Sequence, residues 1–159
     1  SSGIVFLSDV QVNFDPRSLS NVWSLCYTAT YALPMNSSVT TSVLQIVIKK
    51  IIISCRPVGN TTLNVAAMGN RSDVLYNCST TSSCVYTANG VGWYYSNFYS
   101  WGFARGGDPV SRSSCDTGST NPSYRLCWHT HGSYGGYRCG SRLGLNSATD
   151  WEKVIYHSD

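Results

Sequence analysis

The sequence predicts an all-β protein, a disulfide-stapled antiparallel β-sandwich of Ig-like or related type. Three observations carry this. The long unbranched helix formers are nearly absent, with one Glu, two Gln and three Lys in 159 residues, while 11 Tyr, five Trp and abundant Val, Ile and Thr suit a pleated, half-buried surface. Eight to ten short apolar runs are separated by turn signals at sandwich-like spacing. Seven cysteines (Cys26, Cys55, Cys78, Cys84, Cys115, Cys127 and Cys139) include no C-x₂₋₄-C pair, so disulfides in an oxidising compartment explain them better than zinc. The odd count leaves one thiol over.

The elements follow in chain order. Residues 4–14 alternate from Ser8, with Val10, Val12 and Phe14 on one face, until Asp15-Pro16 ends the strand. Residues 22–33 alternate next, with Trp23, Leu25, Tyr27, Ala29, Tyr31 and Leu33 sharing a face before Pro34. Residues 43–55 form a long β-branched run, read as a central strand or one bent at Lys49-Lys50. Strands are also predicted over 62–68, 73–78 and 84–87. Residues 93–103 pack seven aromatics into eleven positions and read as a hairpin or two short strands. A second hairpin spans 124–139 across His131-Gly-Ser133. Asp150–Lys153 is a candidate helical turn before a last strand over 154–157. The organisation is an N-terminal strand, 1–15, that is a candidate for donation to a neighbouring subunit, and one sandwich domain, 16–159; a break near Arg56–Gly59 is the alternative division.

Net charge is +3 and charged residues make up only 12%, too weak and scattered for a nucleic-acid groove. No run of residues is apolar enough for a membrane span. The chain starts Ser1-Ser2-Gly3, as a processed product or one with trimmed ends would. Sequons stand at Asn36, Asn60, Asn70 and Asn77, and the Ser/Thr tracts 36–42 and 79–83 are candidates for O-linked sugar. Sequons, cysteines and low charge point to a secreted or cell-surface glycoprotein. Cys78 and Cys84 are expected to be bonded. Cys127 is expected to face Cys139 across the hairpin, with Cys115 competing for either, and Cys26 with Cys55 is a weaker third pair.

Candidate chemistry is sparse. His129 and His131 share a strand face, but two histidines in a hairpin are ordinarily surface residues, and no metal or other cofactor is expected. Cys127 and His129 have the spacing of a nucleophile pair on one face, yet a disulfide is the better account of Cys127. No P-loop, G-x-S-x-G or H-E-x-x-H occurs, and an enzyme is not expected. Arg71, Arg112, Arg125, Arg138 and Arg142 are read as exposed or paired to loop Asp. Trp93, Tyr95, Tyr99 and Trp101 are candidates for stacking on sugar rings, against the competing reading that aromatics at period two pack between sheets.

From Cys55 onward the words Val65-Ala-Ala-Met-Gly, Asn89-Gly-Val-Gly-Trp-Tyr-Tyr, Tyr99-Ser-Trp-Gly-Phe, Arg125-Leu-Cys-Trp-His-Thr, Gly136-Tyr-Arg-Cys-Gly and Trp151-Glu-Lys-Val-Ile-Tyr-His resemble a poorly characterised family of secreted, glycosylated, cysteine-containing surface domains, chiefly of aquatic microbes and simple eukaryotes. The chain is also similar to subunits of glycosylated extracellular fibrils. The resemblance implies covalent glycans and copies of the chain itself as partners, and no catalytic residues. Self-assembly is then expected through the N-terminal strand, with Val10, Val12 and Phe14 completing a neighbour's sheet. A carbohydrate-binding module using residues 93–103 is the alternative.

Overall fold

The computed structural model describes residues 3–46, 49–78, 81–112 and 114–159. Among these it contains ten strands: β1 (Gln11–Phe14), β2 (Ser24–Thr30), β3 (Lys50–Pro57), β4 (Leu63–Asn70), β5 (Tyr86–Ala88), β6 (Val91–Tyr95), β7 (Ser100–Arg105), β8 (Leu126–His129), β9 (Arg138–Cys139) and β10 (Trp151–Ser158). Two α-helices interrupt them, α1 (Ser37–Leu44) and the single turn α2 (Arg71–Val74), with short 3-10 turns at Pro16–Ser18 and Pro122–Tyr124. The strands form two five-stranded antiparallel sheets, ordered β1-β4-β3-β10-β2 and β5-β6-β7-β8-β9.

Alternation along β3 explains how the first sheet is built. Ile51, Ile53 and Cys55 point into a core between the sheets, while Ile52 points outward. Across the gap stand Trp93, Trp101, Phe103, Leu126 and Trp128, all fully buried. Trp93 opposes Phe103 and Trp101 opposes Trp128 as cross-strand pairs, with rings edge to face at 5.7 and 5.4 Å. Each buried indole has a hydrogen-bond acceptor: the Trp128 N–H donates to the Tyr31 hydroxyl, which donates to the Arg138 carbonyl. Gly136 lies against this Tyr31 ring, where a Cβ would approach a ring carbon to 2.2 Å.

Both outer faces are covered as well. Phe14, Trp23, Ile52, Leu63, Ala66, Met68 and Val154 form a second core beneath Ile4, Phe6, Leu7 and Leu19, so the N-terminal segment roofs the first sheet. Tyr94, Ala104, Val110, Cys78, Cys115 and Cys127 form a third on the far side of the second sheet. There the segments cross so closely that a Cβ at Gly102 would lie 2.0 Å from the Leu126 carbonyl oxygen.

Several expected elements differ. Residues 4–14 are not one strand. Asp9 and Asn13 adopt left-handed backbone (φ 69° and 50°), Ile4 makes an isolated parallel bridge to Leu19, and Gln11–Phe14 pairs antiparallel to β4 of the same chain. Val10 and Val12 therefore meet the inner core and Phe14 the outer one, rather than sharing a face. The expected strand over 43–55 is divided: Val43 and Leu44 end α1, β3 begins at Lys50, and Val47 and Ile48 lie outside the described residues. The Asn36 side chain accepts the Val39 N–H and starts that helix, and burial of Thr40 and Val43 outweighs the poor helix propensity of its Ser, Thr and Val. Residues 73–78 form the end of α2 and a turn, not a strand, and Asp150–Lys153 is a turn followed by strand, not helix.

Candidate functional site

Three disulfides are present. Cys78–Cys84 closes the short loop as expected. The pairing of Cys127 with Cys139 is overturned: Cys127 bonds Cys115, and Cys139 bonds Cys55. On paired strands, Cys127 stands opposite Arg138 and Leu126 opposite Cys139, so the two cysteines face opposite sides of the sheet, Cys127 outward and Cys139 inward. Cys26 cannot reach Cys55 either, because β10 lies between β2 and β3. Cys26 is the free thiol. It is half-buried, its S–H donates to the Ile155 carbonyl, and burial pushes its pKa up to about 11.

Cys26 lies on the outermost strand of the first sheet. Among the described residues no segment pairs with the outer side of β2. Its seven residues, Ser-Leu-Cys-Tyr-Thr-Ala-Thr, contain no charge, proline or glycine. The other sheet edges are shorter: β1 has four residues with left-handed backbone at Asn13, β5 has three, and β9 has two. Leu25 on β2 is 53% exposed, and Val22 and Ile46 stand exposed nearby. An apolar groove of 320 Å³ separates β2 from α1, lined by Cys26, Tyr27, Val39, Val43 and Ile46. This edge was not singled out from the sequence; the signal available was a strand-like run without a charge.

The N-terminal segment lies at the opposite edge of the same sheet. Val10 and Phe14 are buried and Val12 half-buried. Polar clefts flank β1 on both sides. One, of 430 Å³, is lined by Asn13, Asn64, Tyr124, Arg142 and Trp151 among others; the second, of 610 Å³, by Asp9, Gln11, Thr87 and Arg105. Tyr124 belongs to both.

Most of the aromatic stretch is core. Trp93 and Trp101 are fully enclosed between the sheets and present no face to a ligand. Tyr95 is half-buried with its hydroxyl donating to Asn97, and Tyr99 lies beneath the Arg112 guanidinium at 5.3 Å.

The arginines divide. Arg71, Arg105 and Arg142 are exposed, but Arg112, Arg125 and Arg138 are buried under the loop that follows β7, together with Asp116. Arg125 pairs with Asp116 at 2.9 Å. Arg138 donates to the carbonyls of Asp116, Gly118, Pro122 and Gly140, and Arg112 to those of Cys78 and Ser100 while stacking on Tyr94. These side chains replace strand neighbours for a loop that has none. Lys153 is also buried, donating to the carbonyls of Thr30 and Leu33.

The sequon residues Asn36, Asn60, Asn70 and Asn77 are all exposed. Ser79 and Thr80, in the second Ser/Thr tract, lie outside the described residues, and Ser37–Ser42 of the first lie in α1. His129 is buried, with Nε2 2.8 Å from the Asn146 side-chain oxygen, and burial lowers its pKa; His131 is exposed in the following loop. Among the described residues no three His, Cys, Asp or Glu side chains converge as a metal site would require, and no helix is long and apolar enough to cross a membrane. No family model matches the chain, and comparison with curated proteins and with solved structures finds no match.

Proposed function

We propose that the protein is an extracellular structural glycoprotein subunit that assembles head to tail with copies of itself into a fibril or surface layer. The observation that carries this reading is the outer edge of β2, a seven-residue strand whose outward backbone groups pair with no segment among the described residues and which has no charge to repel a further strand. The N-terminal segment of the next copy is the strand it receives. Contact between two different edges of one sheet is heterologous and does not close, so it propagates as an open filament. Leu25, Val22 and Ile46 add apolar area beside the backbone ladder.

Three disulfides suit an oxidising exterior. Glycans on the four exposed asparagines supply the solubility that a chain with 12% charged residues lacks. The test is electron microscopy of the native material beside a Leu25→Lys variant. Fibrils are expected from the former; the variant, altered only at a half-exposed position, keeps its melting temperature and yields monomers. Fibrils from Leu25→Lys indistinguishable from the native ones, or monomers alone from the native chain, would refute the proposal.

A further inference from the structure

The 430 Å³ cleft beside β1 has the chemistry of a ligand site that assembly does not use. Five segments build it: β1 supplies Asn13, β4 Asn64, the turn before β8 Ser123 and Tyr124, the turn after β9 Ser141 and Arg142, and β10 Trp151. Four of the five indole N–H groups are spent inside the protein, on the Val5, Ala88 and Val74 carbonyls and the Tyr31 hydroxyl. The Trp151 N–H has no partner among the described residues, and Trp151 is also the one tryptophan that is not fully buried. The side chains of Asn13, Asn64, Ser123, Ser141 and Arg142 likewise make no hydrogen bond or ion pair among the described residues. Asn13 adopts left-handed backbone (φ 50°) within β1, a conformation that concentrates at binding sites.

The ligand class follows from these groups. Amides and hydroxyls both donate and accept, which matches a polyhydroxylated ring, and an indole offers an apolar surface for its C–H face. The cleft is lined by one cation, Arg142, whose guanidinium lies 6.0 Å above the Trp151 ring, and by no Asp or Glu. Its volume is that of a small-ligand pocket. We propose that this cleft binds an acidic saccharide, with a ring carboxylate or sulfate held by Arg142, hydroxyls by Asn13, Asn64 and the serines, and the ring against Trp151. The site is built with β1 paired to β4 of its own chain, so it is formed in the single subunit and does not rest on the assembly mechanism.

The experiment follows the five indole N–H signals by ¹H–¹⁵N NMR while an oligogalacturonate, a sulfated oligosaccharide and a neutral cello-oligosaccharide are titrated separately into enzymatically deglycosylated protein. At least one acidic ligand should shift the Trp151 signal and leave the four buried indoles in place. Arg142→Ala should weaken that binding at least tenfold and Asn64→Ala severalfold, with melting temperatures close to the parent's because neither replaced side chain makes a hydrogen bond or ion pair among the described residues, and Arg142 gives up only its exposed contact with the Trp151 ring. Glycosylated protein gives the source: if it no longer binds, its own glycans occupy the cleft, and if it binds equally, the ligand is an external polysaccharide. The proposal is overturned if no acidic saccharide moves the Trp151 signal at millimolar concentration, if Arg142→Ala binds as tightly as the parent, or if the neutral oligosaccharide binds as well as the acidic ones.

Discussion

Lys153 gives a stability test whose sign and size can be worked out. Its ammonium is fully enclosed, donates to the Thr30 carbonyl at 2.9 Å and the Leu33 carbonyl at 2.6 Å, and lies 6.0 Å from the Tyr31 ring. No carboxylate pairs with it among the described residues. Burial disfavours its charge and brings its pKa from 10.5 down to about 8. A neutral amine still donates to both carbonyls, so loss of the proton removes the desolvation cost and keeps the bonds. Above pH 8 the native state sheds this proton while the unfolded chain keeps it, and stability therefore rises with pH until the unfolded lysine titrates near 10.5. Between pH 7 and 9.5 the expected gain is about 2 kcal/mol. For a domain of this size that is roughly 4–8 °C in Tm. Cys26 acts in the opposite direction, because its raised pKa makes stability fall above pH 9, so the comparison belongs in a Cys26→Ser background. Thermal melts of Cys26→Ser and of Cys26→Ser with Lys153→Met, recorded from pH 7 to 9.5, isolate the effect. The Met variant starts less stable, since two buried carbonyls lose their donor, but it lacks the rise. Parallel pH profiles would show that the buried ammonium carries no such cost.

Further outcomes follow from the disulfides and from the start of α1. Replacing both Cys55 and Cys139 by Ala opens a cross-link that spans 84 residues and should cost about 4–5 kcal/mol in denaturant unfolding, against about 2 kcal/mol for Cys78 with Cys84, which are six residues apart; equal losses would contradict the loop-length argument. In protein without glycans, Asn36→Ala should lower stability by about 0.5–2 kcal/mol through loss of the cap to Val39, whereas Asn36→Asp, which also destroys the sequon, retains the cap and should melt near the parent.

The parts of the fold legible in the sequence were those written in local pattern. The aromatic run over 93–103, read as a hairpin or two short strands, falls on β6 and β7, and Trp101 and Phe103 enter the inner core. Local pattern failed where backbone departed from extended form. Asn13 turns Phe14 to the other face of the first sheet, and nothing in the residues 8–14 announces it apart from the Asn itself. Val43 and Leu44 read as strand because they precede a β-branched run, although Asn36 after Pro34 was a helix-start signal. Partners distant in sequence were the least visible. Cys55 finds Cys139, and Lys153 finds the carbonyls of Thr30 and Leu33, through strand order that no local pattern encodes. The same holds for the cleft at Trp151. Its five contributing segments are scattered from residue 12 to residue 151, each ordinary by itself.

The buried arginines give the long connection between β7 and β8 an unusual standing. A protease needs several consecutive residues drawn out of the surface into its own active site, and loops ordinarily yield them cheaply. Here the Asp116, Gly118 and Pro122 carbonyls are held by Arg138, the Pro109 and Thr120 carbonyls by Arg125, and Cys115 is bonded to Cys127. Drawing out residues 115–122 would strip the buried guanidinium groups of Arg125 and Arg138 of their acceptors. Against a protease, a stretch with no more regular structure than one 3-10 turn would endure as long as the sheets beneath it.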